Sequence, residues 1–246
     1  AQREGMDDLT PSQFIAVRFI LGAVLLMPVV ALSDFVSKGN CNGYWEAWKN
    51  KRLWLYGAVC GFFLGVASML QQWGLVEASA GKGGFLTVLY IIGVPICGIF
   101  VGKKTSPLLW IAVLLAVAGS YFLCAPNGLG GGWKFCDTLL ILCAIAFSFH
   151  ILVIDKCVAT VDAMRMSSLQ ALVTGIIGLV VSLVFGEKWQ LSGVVGAMIP
   201  ILYCAVCSTG IGYTCQFLGQ RSVHPVAASL IMSLESVFAV LGGFLL

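Results

Sequence analysis

Long apolar runs separated by short polar breaks make up this chain. Eight runs of about twenty residues cover roughly 11–33, 53–74, 80–102, 106–124, 135–154, 164–185, 193–216 and 226–246. At 1.5 Å per residue, about twenty residues of helix cross a hydrocarbon layer some 30 Å thick. The breaks carry turn residues and charge. The longest spans 34–52 and holds Lys38, Asn40, Asn42, Lys49, Lys51 and Arg52; shorter ones lie at 102–105, 126–132, 155–165 and 186–188. A barrel strand needs only about ten residues and alternates apolar with polar, so the pattern predicts helices. The expected fold is an all-α, polytopic membrane helix bundle with eight transmembrane helices.

Composition agrees with lipid as the solvent. Of 246 residues, 59% are hydrophobic and 10% are charged, against about 25% charged in an ordinary soluble domain. The net charge of +3 is spread thinly, with no basic stripe interleaved with aromatics, which excludes nucleic acid as the expected partner. Most of the ten cysteines lie inside apolar runs, where a free thiol behaves as a small hydrophobe. Cys204 and Cys207 have the spacing of a redox or metal pair but sit in such a run. No metal site and no cofactor are expected.

Lysine and arginine set the orientation, because loops rich in them stay in the cytoplasm. Lys38, Lys49, Lys51, Arg52, Lys103, Lys104, Lys156, Arg165 and Arg221 fall on one side; Arg3, Lys82, Lys134 and Lys188 fall on the other. The first set marks the cytoplasmic face and places the first residues outside. The chain opens without methionine and without a signal peptide, as expected of a chain whose first helix has been removed.

Two stretches resemble each other. At an offset of 145 residues Gln71 meets Gln216, Gly74 meets Gly219, Ala80 meets Pro225, Leu89 meets Leu234 and Tyr90 meets Glu235. Both lie at a helix, short loop, helix junction. By the charge rule one loop is outside and the other inside, so the repeats are inverted, an arrangement found in transporters with substrate sites near the membrane midplane. The expected domains are 1–124 and 125–246. Shifting the spans by the offset gives ten helices in all, two inverted sets of five, with the first and last lacking here.

Four stretches carry a family resemblance: Arg18-Phe19; Gly81-Lys82-Gly83-Gly84-Phe85-Leu86-Thr87 with Tyr90 and Val94-Pro95; His150-Ile151-Leu152-Val153-Ile154-Asp155; and Leu234-Glu235-Ser236-Val237-Phe238. In these the chain resembles the EamA-type members of the drug/metabolite transporter superfamily, over nearly its whole length. Ser236 stands where proline is common in that family. The resemblance implies a ten-helix secondary transporter of 5+5 inverted repeats that exports amino acids or other metabolites through a central cavity.

Several polar residues on apolar helices are candidates for substrate binding or coupling. An ionisable group inside a bilayer is costly and functional by default. Glu235 lies about 14 Å beyond Val226 along a helix, near the midplane. It is either a proton-coupling or substrate-binding carboxyl, or a neutral carboxyl bonded between helices. Arg18, about 10 Å inside its span, keeps its charge. It is either a ligand for a substrate carboxylate or a structural clamp. His150 is a cavity residue or a packed imidazole. Gln72, Tyr90, Gln170, Tyr213 and Gln216 either bond across helices or line a wet cavity. Gly57, Gly61 and Gly65, four apart, form a groove for close helix packing. Kinks are expected at Pro95 and Pro200. Trp54, Trp73 and Trp110 fit interfacial anchors.

The expected function is secondary transport of a small metabolite (an amino acid or similar) or a drug-like compound across the plasma membrane. Its mechanism is alternating access around a cavity bordered by the spans carrying Arg18, Tyr90, His150 and Glu235, and the expected direction is export. Partners are the small-molecule substrate, lipid and, through Glu235, a proton; a homodimer is compatible with the sequence, which assigns it no face. The alternatives are a channel or facilitator without ion coupling, and an intramembrane enzyme. The enzyme case is poor. There is no His-Glu-x-x-His pair, Gly210-Ile211-Gly212-Tyr213 lacks an intramembrane protease's aspartate, and Ser148 and His150 do not share a helix face.

Overall fold

The computed structural model describes residues 5–38, 44–124 and 132–238. Among them there is no strand, and seven helical spans are long and apolar enough to cross a membrane. These run Pro11–Val36, Lys51–Glu77, Gly81–Phe100, Pro107–Cys124, Phe135–Cys157, Ala163–Val184 and Met198–Gln220. The eighth expected span is seen as a shorter apolar helix, Pro225–Phe238; the remainder of 226–246 lies outside the described residues, as do most of the glycine run at 128–132 and Asn40 and Asn42.

The helices are α1 (Pro11–Lys38), α2 (Lys51–Glu77), α3 (Ala80–Val88), α4 (Tyr90–Phe100), α5 (Pro107–Cys124), α6 (Phe135–Cys157), α7 (Ala163–Val184), α8 (Leu191–Gly196), α9 (Met198–Tyr203), α10 (Tyr213–Gln220) and α11 (Pro225–Met232). Side-chain caps start α3 and α7: Ser79 accepts from the Lys82 amide and Asp162 from the Arg165 amide. Positive-φ glycines follow α4 and α7. At Gly186 (φ 65°) the Glu187 amide returns to the Ser182 carbonyl, 3.0 Å, and at Gly102 (φ 79°) the Lys103 amide returns to Gly98, 2.9 Å. Each is a left-handed helix stop that any side chain would strain.

The chain forms two compact units, residues 1–69 with 156–221 and residues 70–155 with 222–246. In the first, α1 and α7 cross in close contact. A Cβ on Gly178 would lie 2.8 Å from the Ala16 amide nitrogen, and one on Gly175 would lie 2.6 Å from Ile20 Cγ1. Ser168 Oγ donates to the Ala23 carbonyl at 3.2 Å, and Arg165 pairs with Asp34. Numbers rise along α1 as they fall along α7, so the two helices are antiparallel. α7 also packs on α2: Gly57, Gly61 and Gly65 face Leu169, Val173 and Ile177, and Thr174 Oγ1 donates to the Gly61 carbonyl at 3.0 Å.

Prolines break helices in both units. Pro200 has no N–H for the carbonyl four residues earlier, at Gly196, and the helix is interrupted at Ala197 between α8 and α9. Beyond α9 the backbone widens into a nine-residue π-helix, Cys204–Gly212, before α10. Pro95 likewise leaves Ile91 without a donor, and the span is interrupted two residues earlier, at Leu89, between α3 and α4. Pro28, by contrast, sits within an unbroken α1.

The core of the second unit gathers Val88, Tyr90, Ile91 and Val94 with Val113, Ala144, Ile151, Leu152 and Val226. In its last span there is an interruption at Ser233 although Ser236 replaces the expected proline. Ser229, Ser233 and Ser236 each donate to the carbonyl three residues back, at 2.8, 2.6 and 2.8 Å. Such back-bonding bends a helix without proline.

Candidate functional site

In the first unit, Arg18 is 2% exposed. Its guanidinium carbon lies 4.6 Å from the Phe19 ring centroid and 5.4 Å from that of Phe14. Phe19 stacks on Tyr213, centroids 6.1 Å apart and planes 29° apart, at the point where the π-helix passes into α10. The π-helix is seated against α1 by Gly22, where a Cβ would lie 2.6 Å from Thr209 Cγ2. Arg18 Nε and Nη1 have no hydrogen-bond partner, and neither do the hydroxyls of Thr209 and Thr214. Gln170 is fully buried and Gln216 half-buried. Gln220, one turn beyond Gln216, is 4% exposed with both amide atoms unpartnered.

In the second unit, the Tyr90 ring meets Phe147 edge to face at 6.3 Å. Ser148 Oγ donates to the Ala144 carbonyl at 2.8 Å and lies 3.4 Å from the Tyr90 carbonyl. His150 is buried and Glu235 exposed; both are engaged with neighbours. Gln72 is fully buried, and both ends of its amide lack partners. Asp155 forms an ion pair with Lys103 at 2.6 Å and has no part in a triad with Ser148. Among the described residues no group of His, Cys, Asp and Glu could hold a metal.

Two ion pairs escaped the sequence. Arg165 belongs to the loop charges by its position, yet it is 3% exposed, paired with Asp34, 3.5 Å from Asp162 and beneath the Trp48 ring at 5.8 Å. Lys82 reaches the fully buried Asp137 at 2.6 Å, and Asp137 also accepts from the Lys134 amide at 2.8 Å. An acidic residue in the first turn of α6 was the available signal for the second pair. No local signal marks the first, whose partners are 131 residues apart. A cavity of 450 Å³ lies beside Arg165, lined by Glu46, Asn50, Leu53, Thr160 and Asp162; none of the residues singled out for substrate binding lines it.

A bundle of long apolar helices, with its buried charges either paired or held against aromatic rings, is the architecture of a multi-pass membrane protein. The family model of the EamA-like transporter family matches residues 1–125 and 134–246, and the chain belongs to that family. It is therefore a membrane transporter of the drug/metabolite type. No curated protein matches it. Among solved structures, one described only as the crystal structure of a protein matches with a TM-score of 0.72 at 15% identity, over 99% of this chain and 82% of that one. That likeness concerns the fold alone.

Proposed function

We propose that this chain is a secondary transporter that moves a small metabolite, an amino acid or similar, or a drug-like compound across the plasma membrane by alternating access, and that it works as an exporter. The observation that carries the reading is the contact of Ser168 with Ala23. The two are 145 residues apart, the offset that relates the two sequence repeats. Where equivalent residues of two antiparallel helices touch each other, a local two-fold axis passes between them. An inverted pair of this kind suits a protein that works by exchanging two opposed conformations. The domains 1–124 and 125–246 are proposed as the two repeats.

Within this proposal Arg18, Gln72, Tyr90, His150, Gln170, Tyr213, Gln216 and Glu235 contribute to substrate binding or coupling. Glu235 is the proton-coupling group, supported by its place as an ionisable residue within an apolar helix.

The test is flux in proteoliposomes holding the full-length protein. Saturable uptake of an amino acid or related metabolite, accelerated by unlabelled solute on the opposite side, is the expected result. Flux that neither saturates nor shows counterflow would favour a channel or facilitator. Turnover of solute without movement would favour an enzyme. Glu235→Gln is expected to flatten the pH dependence of flux; a retained dependence in a folded variant removes Glu235 from coupling.

A further inference from the structure

We propose that Arg18 is the anion-recognition point of the transport path, and that the transported solutes carry a carboxylate. This rests on the transport function proposed above and deepens it.

Among the described residues, the other buried or half-buried lysines and arginines each have a carboxylate partner. Arg165 has Asp34 and Asp162, Lys82 has Asp137, and Lys103 has Asp155. Arg18 differs from all of them: among the described residues it makes no ion pair, and the N–H groups on Nε and Nη1 have no acceptor. Burial of a charge is costly even after relaxation, and a guanidinium does not escape that cost by losing a proton. The Phe14 and Phe19 rings offset part of it. Rings attract the face of the guanidinium, however, and leave its in-plane hydrogens seeking an oxygen.

The surroundings decide which oxygen. Thr209, 1% exposed and with an unpartnered hydroxyl, packs its methyl group against Gly22, one helical turn from Arg18. It is set there by a π-helix, a backbone form that is rare and frequent at functional sites. A planar guanidinium with unfilled N–H groups suits a planar monoanion with several lone pairs. One positive charge does not neutralise a phosphate dianion. A carboxylate balances it one to one. Tyr213, half-buried and stacked on Phe19, offers a flat apolar wall to the body of the solute.

The probes are monocarboxylates from acetate to 3-phenylpropionate, their uncharged amides, and inorganic phosphate, each titrated against the purified full-length protein with thermal unfolding as the readout. Hydrogen bonds to a charged group lead us to expect the best acid to bind about tenfold more tightly than its amide, or better, and more tightly than phosphate. Arg18→Gln is expected to abolish the acid-over-amide preference and Arg18→Lys to retain part of it. Equal binding of acid and amide to the native protein, binding of none of them, or a preference that survives in Arg18→Gln overturns the proposal. Phosphate binding more tightly than every acid also overturns it. If Arg18→Gln does not fold, the acid and amide comparison on the native protein decides alone. Flux of acid and amide at equal rates removes the anion site and leaves transport standing. An Arg18-dependent acid preference without flux of any solute removes transport and leaves the site.

Discussion

At the scale of single residues, burial separates two arginines that look alike in the sequence. Arg18 stood out because its span is apolar on both sides. Arg165 did not, because it lies at the edge of a polar break and the sequence shows no sign of Asp34 as its partner. Yet Arg165 is as well covered as Arg18, and its pairing ties the end of α1 to the start of α7. Removal of one member of a buried pair strands the other charge, at a cost of about 3–5 kcal/mol. Asp34→Asn is therefore expected to lower stability by about that amount, and Asp34→Asn combined with Arg165→Met to recover most of the loss. A double-mutant cycle of denaturant unfolding in detergent checks this; equal losses in the single and double variants would deny the pair its role. Asp137→Asn is expected to destabilise the second unit in the same direction, because Asp137 is fully buried and holds both Lys82 and the Lys134 amide.

At the scale of elements, hydropathy placed the spans to within a few residues, because a run of apolar side chains long enough for lipid has few other uses. Internal breaks were harder to read. The prolines at 95 and 200 gave the right spans, but the interruptions fall N-terminal to them, where the missing donor is felt. The π-helix at Cys204–Gly212 had no signal, since it depends on a shift in hydrogen-bond register rather than on composition. Ser233 shows the same point from the other side: hydroxyls bonded to their own helix do the work expected of a proline. Close packing yields a sharp prediction. A Cβ on Gly61 would lie 2.6 Å from Val173 Cβ and 2.8 Å from the Gln170 carbonyl oxygen, whereas one on Gly119 meets nothing within 4 Å. Gly61→Ala should cost about 1–3 kcal/mol from overpacking. Gly119→Ala should be neutral or stabilise by up to about 1 kcal/mol through helix propensity. Thermal unfolding of the two variants side by side checks both, and equal effects would refute the packing argument.

At the scale of the whole molecule, the charge rule makes a statement about sidedness. Single cysteines at Lys104 and Lys134, in a background without native thiols, are expected to react with a membrane-impermeant maleimide from opposite faces, Lys134 from outside in intact cells and Lys104 only after permeabilisation. Labelling of both from one face would overturn the topology on which inversion depends. The repeat itself was legible as a faint offset in sequence. Its spatial meaning was not, because only the fold shows that Ala23 and Ser168, counterparts by that offset, are neighbours.

The proposed local two-fold is imperfect in a way that bears on direction. At the same offset the counterpart of Arg165 is Ile20 and that of Asp34 is Leu179. The Asp34–Arg165 clasp therefore has no twin at the opposite ends of α1 and α7, where Thr10 Oγ1 instead donates to Glu187 at 2.6 Å and Gln13 to the Lys188 carbonyl at 3.1 Å. Two-fold-related shapes of a symmetric machine would have equal energies and equal waiting times. A bolt fitted to one door only tilts that balance, so a carrier of the proposed kind is expected to rest facing one compartment.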